Sequence, residues 1–113
     1  MKIKKMTNFL KFFLGKRIIG ITLCPFGVYI IEKYITDKNI INHESIHWKQ
    51  QLEMLILPFY IFYILEFVVK LFKYGGYAYI NLSFEREAFA NDKNLEYLKT
   101  RKNYAWVKYI FHK

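Results

Sequence analysis

Two histidines and a glutamate stand at a spacing that can hold a metal ion and activate water. The segment from His43 to His47 reads His-Glu-Ser-Ile-His. On a helix, residues four positions apart lie one above the other, so both imidazoles would point at one place. This is the pattern in which histidines bind Zn²⁺. Glu44 lies beside the ligand line and could take a proton, as general base, from a water molecule that the metal activates.

A catalytic zinc ion usually has three protein ligands, and helix geometry separates the carboxylates that could supply the third. Glu87 borders the inward stripe of a later predicted helix, and Asn91 follows it by four residues. The Asn91 side chain could accept the free N–H of one imidazole and fix its tautomer. Glu85 points to about the opposite side and suits the first turn of the helix, where the dipole favours negative charge. We therefore predict Glu87 as the third ligand.

The alternatives for the third position are Glu66, His112, Glu85 or no third ligand at all. Glu66 follows His47 at a distance that suits a zinc enzyme, but Lys70 and Lys73 on its helix face predict an intrahelical ion pair instead. His112 is a weaker candidate because it stands next to the C-terminus. The alternative for the whole motif is an ordinary polar face or a relic of a former site.

The composition indicates one basic, aromatic-rich domain. The 113 residues are 54% hydrophobic and 20% aromatic, with a net charge of +9. This balance predicts a negatively charged partner, and we favour an anionic membrane surface over nucleic acid because lysine outnumbers arginine and no nucleic-acid motif is present. The single cysteine, Cys24, fits a reducing compartment. No clean signal peptide stands at the start, so we expect a cytoplasmic protein, with association with the inner face of the membrane as an alternative.

The first third of the chain predicts a helix and a hairpin. Residues 1–17 carry six basic residues and no acidic one, with apolar residues at helical spacing. They predict a basic amphipathic helix that is either a membrane-surface anchor or packed on the core. Residues 18–23 and 27–32 are rich in β-branched side chains and are separated by Pro25 and Phe26. They predict a hairpin whose edge could pair with an extended peptide.

The rest of the chain predicts helices, which makes the fold α+β and mainly α. The active-site helix follows a turn at 36–39 and runs to about Leu57, where Pro58 ends or kinks it. The next helix is very apolar, and a membrane-embedded helix over residues 54–72 is an alternative to a buried one. Ser83 is the predicted N-cap of a third helix. After the active-site helix, the predicted helices cover about 59–73, which Gly75-Gly76 stops, then 84–99 and 103–111, with a short extended connection at 77–80.

The two motifs together resemble those of the gluzincin metallopeptidases, which carry H-E-x-x-H on one helix and E-x-x-A followed by D or N on a later one. Here the second motif runs from Glu87 to Asn91. The chain is most similar to the very small members, the minigluzincins, and to small bacterial proteins with N-H-E-x-I-H-x-x-Q-Q-x-E and F-E-R-E-A. Those patterns stand at residues 42–53 and 84–88, and the resemblance is specific only there.

The resemblance implies a zincin-like fold with a zinc-dependent peptidase activity. It implies His43, His47 and Glu87 as zinc ligands, Glu44 as general base and acid, and Asn91 in place of an aspartate beside an imidazole. A peptide or protein substrate would pair with the edge strand of the hairpin. The family also uses a donor for the oxyanion of the tetrahedral intermediate. The candidates for that donor are Tyr77, Tyr79, Arg86 and Tyr104.

The rival hypothesis is that this small protein is not catalytic. It would be a basic membrane-surface or interaction protein in which the H-E-x-x-H residues form a structural or relic metal site. The cationic, aromatic segments at both ends of the chain favour this reading.

Overall fold

A computed structural model describes residues 1–15 and 18–111. The prediction for His112 therefore lies outside the described residues. The chain is α+β and mainly helical, with 62% helix and a three-stranded sheet, which confirms the predicted class.

The sheet consists of β1 (Ile3–Lys5), β2 (Gly20–Leu23) and β3 (Gly27–Ile30). Its order is β1-β3-β2, with β1 parallel and β2 antiparallel to β3. The predicted hairpin is therefore present, with shorter strands, and β2 is an edge strand. Gly27 has φ +142°, and a Cβ there would lie 2.9 Å from the Lys2 carbonyl oxygen, so glycine suits the point where β1 meets β3.

The helix predicted over residues 1–17 is wrong in its first part. Residues 3–5 form β1, because β3 offers its backbone groups for parallel pairing and this outweighs the local helical periodicity. The helix α1 is only Asn8–Leu14. Thr7 caps it, since its hydroxyl oxygen accepts from the Leu10 N–H at 3.1 Å.

The helix α2 (Lys38–Glu53) carries the metal-binding motif. Asp37 caps it, as the predicted turn requires, by accepting from the N–H groups of Asn39 and Ile40. The helix ends at Glu53 and not near Leu57, because Leu55 and Ile56 have φ of +59° and +70°, which no α-helix tolerates.

The helix α3 (Leu57–Tyr74) holds Pro58 in its first turn, where the missing N–H costs nothing, and Gly75 ends it with φ +57°. Two short 3-10 turns follow over residues 75–81, so the extended connection predicted there is wrong. Within the described residues no single helix is long and apolar enough to cross a membrane. The pair Lys38–Glu53 and Leu57–Tyr77 passes that test only when joined, and it is bent by 112°.

The predicted helix 84–99 is divided into α4 (Ser83–Asn91) and α5 (Tyr97–Thr100). The break has a visible cause: the Asn42 side-chain amide donates to the carbonyls of Asn91, Asp92 and Asn94, which a continuing helix would need. The final segment is a 3-10 helix, Ala105–Tyr109.

The start of α4 also differs from the prediction. Leu82 and not Ser83 is the N-cap residue, and it makes no side-chain cap. The Glu66 carboxylate accepts instead from the Ser83 N–H at 3.0 Å and from its hydroxyl at 2.7 Å. Glu66 therefore stabilises the N-terminus of α4 and is no metal ligand here; it also lies 3.8 Å from Lys70, the predicted intrahelical partner.

The helix α4 lies at the centre of the molecule. All residues from Ser83 to Ala88 are buried, so the helix has no solvent face along most of its length. Phe84 packs in a cluster with Met54, Phe59 and Trp106, in which the ring centroids of Phe84 lie 4.7 Å from Phe59 and 4.6 Å from Trp106. One face of α4 meets α2, and the opposite face meets the C-terminal segment.

Candidate metal centre

Three buried side chains from α2 and α4 converge on one point. They are His43, His47 and Glu85, and one potential ligand atom of each lies within 4.8 Å of the other two. His43 Nε2 is 3.2 Å from Glu85 Oε1, and His47 Nε2 is 3.1 Å from Glu85 Oε2. The H-E-x-x-H spacing therefore brings its two histidines together, as predicted. This group could hold a metal ion.

The Nδ1 atom of each imidazole lies beside a hydrogen-bond acceptor of its own. His43 Nδ1 lies 3.0 Å from Asp92 Oδ2, and His47 Nδ1 lies 2.8 Å from Gln50 Oε1. Since these oxygens can only accept, each Nδ1 carries the proton and donates it. The Nε2 atoms therefore face the cluster with the geometry of metal ligands, because a metal-ligating histidine donates its other N–H to such a group.

The cluster fits a small divalent cation. Two imidazole nitrogens and a carboxylate are a usual donor set for zinc, and tetrahedral zinc at its normal bond lengths separates its ligands by roughly 3.3 Å. Each Nε2 lies 3.1 or 3.2 Å from one of the two Glu85 oxygens, and one potential ligand atom of each residue lies within 4.8 Å of the other two, so the three can reach a common ion. His47 Nε2 is fully buried and, although near Glu85 Oε2, is not aligned for a hydrogen bond. When His47 is protonated, this 3.1 Å contact with Glu85 is an ion pair, and a metal ion bound at Nε2 would take the place of that proton.

The charges of these three residues also favour a cation at this point. Burial by itself lowers the pKa of His47, but the charge and contact of Glu85, the charge of Glu44 and the contact of Gln50 together outweigh it and raise that pKa to about 10. Burial raises the pKa of Glu85, but the charge of His47 and the contact of His43 lower it to about 2. Glu85 thus stays ionised in the interior and needs a positive charge beside it, which either a proton on His47 or a metal ion can supply.

The prediction of Glu87 as third ligand is corrected. Its carboxylate points away from the histidines and accepts from Arg101, from Gln50 Nε2 at 2.9 Å and from the Tyr97 hydroxyl at 2.7 Å. These hydrogen bonds outweigh burial and lower the pKa of Glu87. Because Glu85 and Glu87 lie about 200° apart on the helix, only one can face the metal. In the folded chain Glu85 is the one that faces the two histidines.

The predicted role of Asn91 is corrected with it. Asn91 Nδ2 donates to the Glu87 carbonyl at 2.8 Å and to the Tyr109 hydroxyl at 3.3 Å. Its neighbour Asp92 contacts His43 instead. An aspartate there is a stronger acceptor than an amide, so the imidazole gains a charged partner.

One signal in the sequence could have found these residues. Glu85, Phe89 and Asp92 stand at i, i+4 and i+7, which is one face of a helical turn. All three contact His43 in the structure, with the Phe89 ring centroid 4.6 Å away. Amphipathicity could not select this face, because every residue of α4 from Ser83 to Ala88 is buried.

Glu44 stands between the cluster and the edge strand β2. Its side chain is buried, and its Oε1 accepts from the Thr22 hydroxyl at 2.8 Å. Gly20 of the same strand also lies close to this carboxylate: a Cβ at residue 20 would be 3.4 Å from Glu44 Oε2. The strand therefore holds the carboxylate in one orientation, as the role of general base requires. Sequence reasoning did not identify Thr22 or Gly20.

Two cavities of about 230 and 260 Å³ open on either side of this carboxylate. Glu44, Gly20 and Tyr79 line both of them. The first continues past His47 and Glu85 to the aromatic residues at the start of α3, and the second continues past His43 to Phe89 and Asp92. A chain molecule could therefore extend to both sides of Glu44 along β2.

The four candidates for the oxyanion donor are now distinguishable. Arg86 is buried and donates to the carbonyls of Tyr109 and Ile110, and the Tyr104 hydroxyl donates to the Glu53 carbonyl. Tyr77 is 71% exposed and lines neither cavity. Tyr79 lines both cavities, and burial together with the charge of Glu85 raises the pKa of its phenol. It stays protonated and able to donate.

The sequence matches no protein-family model and no curated protein, and the fold matches no solved structure. The case for function therefore depends on the geometry of the site.

Proposed function

We propose that the protein is a zinc-dependent peptidase with a gluzincin-like site on a zincin-like arrangement of helices and edge strand. The observation that carries the proposal is the group His43, His47 and Glu85, which converges within 4.8 Å beside the buried Glu44 carboxylate and between two cavities. In this proposal the metal is held by His43 Nε2, His47 Nε2 and the carboxylate of Glu85. The resemblance to gluzincins is retained with Glu85 in place of Glu87.

The chain's own residues have defined tasks in this reaction. Bound zinc would supply Lewis acidity toward a water molecule and toward the carbonyl of the substrate. Asp92 and Gln50 hold the two imidazoles in the tautomer that leaves Nε2 free. The Thr22 hydroxyl occupies Glu44 Oε1, so Oε2 is the atom that takes the proton from water and later gives it to the leaving amine.

The edge strand β2 has backbone groups that could pair with an extended substrate. Ile19 O accepts from Ile31 N toward β3, so the backbone groups of Gly20 and Thr22 point to the open edge. The Thr22 carbonyl already accepts from Gln51 Nε2, which leaves Gly20 for an incoming peptide, directly beside Glu44. An extended peptide added there would cross the site between the two cavities.

Tyr79 is the residue we propose as oxyanion donor. Its place in the lining of both cavities, together with a phenol that stays protonated, supports this role. Preorganised donors of this kind stabilise the developing negative charge without reorganising during the reaction.

The deciding experiment combines zinc content with hydrolysis. Protein purified without added metal is analysed for zinc and incubated with a fluorogenic peptide library, beside Glu44→Gln and the exposed control Glu96→Gln. We expect one zinc per chain in all three, and hydrolysis reduced by about 10²–10⁴-fold only in Glu44→Gln. Equal hydrolysis by the wild type and Glu44→Gln would refute the mechanism. Zinc without hydrolysis of any peptide would favour the non-catalytic alternative with a structural metal site.

A further inference from the structure

The helix α3 turns two of its charged residues inward, together with the core residue Phe59, and exposes most of its apolar ones. Its inward stripe contains Glu66 and Lys70, whose side chains are 14% and 8% exposed, and the half-buried Tyr60, Tyr63 and Tyr74. Its outward side is apolar, and within this helix, which the structure describes in full, Lys73 is the one charged residue that points outward. Ordinary surface helices show polar residues to water and apolar residues to the core.

The inward charges are fully accommodated by the protein. Glu66 accepts from Ser83, and Lys70 Nζ donates to the carbonyls of Asn81 and Ile110 at 2.8 Å each. Neither charge therefore needs water from outside. Ionisable residues of helices in lipid are arranged in this way, with the charges turned toward protein partners.

The outward side of α3 is a large apolar surface. Ten large apolar side chains are exposed on it, up to 90% for Phe72. A helix of 18 residues is about 27 Å long, so these side chains form a continuous apolar face along its length, of the kind that marks a protein or membrane interaction site. The ten residues are Leu57, Ile61, Phe62, Ile64, Leu65, Phe67, Val68, Val69, Leu71 and Phe72.

The charge of the chain favours lipid over a protein partner. The helix α1 adds Phe9, Phe12 and Phe13, each more than 70% exposed, within an N-terminal segment that has no acidic residue. The net charge of the chain is +9. Apolar and aromatic side chains next to lysines are the combination that binds the headgroup and acyl boundary of an anionic bilayer. The end of α1 and the start of α3 also line the same cavity.

We propose that the outward faces of α3 and α1 enter the apolar part of a bilayer that contains anionic lipid. The face supplies the apolar contact, and the basic N-terminal segment supplies the attraction to the headgroups. The proposal does not depend on the peptidase activity, because none of these residues belongs to the metal cluster.

Vesicle flotation tests this proposal. Full-length protein is mixed with phosphatidylcholine vesicles with and without phosphatidylglycerol, at low and high salt. The test variant is Val68→Gln with Phe72→Gln, and the matched control is Phe26→Gln with Leu95→Gln, which removes two exposed apolar residues elsewhere. All four substitutions are at exposed positions and leave the net charge unchanged, so circular dichroism should report an unchanged fold.

We expect the wild type and the control to float with anionic vesicles, more weakly at high salt. The test variant should bind at least about tenfold more weakly, because apolar area is what its substitutions remove. Glu44→Gln should float like the wild type, which keeps this result separate from the catalytic proposal. Absence of vesicle binding, or equal binding of test variant and control, would refute the proposal. A wild-type dimer that the test variant converts to a monomer in light scattering would assign the face to a second copy of the chain.

Discussion

At the scale of single residues, the candidate site depends on which carboxylate α4 turns toward α2. Glu85 lies between the two histidines, and Glu87 lies in a separate set of hydrogen bonds with Arg101, Gln50 and Tyr97. The two glutamates are both buried, so exposure does not distinguish their roles. Their contacts do.

Because Glu85 and not Glu87 faces the histidines, substituting these two glutamates should have different effects. Glu85→Gln should lower zinc affinity by more than the roughly 10–100-fold that loss of an outer partner costs, because it removes a ligand charge. Glu87→Gln should retain zinc and lose mainly stability, since Arg101 then lacks one of its two carboxylates. Zinc titration and chemical denaturation of both variants measure this. Zinc lost from Glu87→Gln alone would restore Glu87 as the ligand.

The coupled pair of His47 and Glu85 predicts how the stability of the metal-free protein depends on pH. The folded-state pKa of His47 is raised to about 10, so its stabilisation is complete below about pH 6.5 and is lost as the pH rises toward 10. The pKa of Glu85 is lowered to about 2, so its contribution is complete above about pH 4.5 and is lost as the pH falls toward 2. When the free energy of unfolding is measured in the presence of a chelator, the contribution of this pair should therefore be largest at about pH 4.5–6.5. Glu85→Gln should flatten the decline above pH 6.5; an equal decline in that variant would contradict this assignment.

At the scale of elements, one side chain joins the helix α2 to the edge strand β2. Gln51 Nε2 donates to the Thr22 carbonyl, and Gln51 Oε1 accepts from the Cys24 N–H, each at 2.9 Å. This amide thereby replaces two backbone partners that a further strand would otherwise provide. It also fixes the distance between β2 and Glu44, about two turns of helix away.

Removal of this amide should affect both stability and the site. Gln51→Ala leaves a buried C=O and a buried N–H without partners, and we expect it to lower the free energy of unfolding by about 2–4 kcal/mol. The exposed neighbour Lys49→Ala should change it by less than about 0.5 kcal/mol. Urea denaturation compares the two. A loss in Gln51→Ala no larger than in the control would mean that the amide does not hold the strand.

At the scale of the whole molecule, Arg101 joins parts of the chain that are distant in sequence. Its guanidinium is 3% exposed and donates to Glu53 at the end of α2 and to Glu87 in α4. Through Gln50, the same carboxylate of Glu87 reaches His47. The C-terminal segment thus supports His47 of the candidate metal site through Glu87 and Gln50.

We expect Arg101→Met to destabilise the protein by about 3–5 kcal/mol, because it leaves two buried carboxylates without their cation. Combining it with Glu53→Gln and Glu87→Gln should recover part of that loss, since the unpaired charges are then removed. Thermal or chemical denaturation of the single and triple variants checks this. If the triple variant is less stable than Arg101→Met, the loss arises from packing and not from charge.

The sequence by itself determined the local features of this protein. Two imidazoles four residues apart must meet if the segment is a helix, and Asp37 caps that helix because its side chain reaches the first free N–H groups. The antiparallel hairpin around Pro25 and the stop at Gly75 also follow from short-range geometry. All of these features depend on residues within a few positions of one another.

Only the tertiary structure decided the remaining features. The face of α4 that meets the histidines does not follow from the sequence, because the buried stretch from Ser83 to Ala88 has no amphipathic signal, and the residue pattern favours Glu87 over Glu85. The end of α4 depends on Asn42, far away in sequence, and the strand at residues 3–5 depends on pairing with β3. These outcomes are set by contacts between distant segments, whose free energies exceed the weak local preferences that a sequence pattern records.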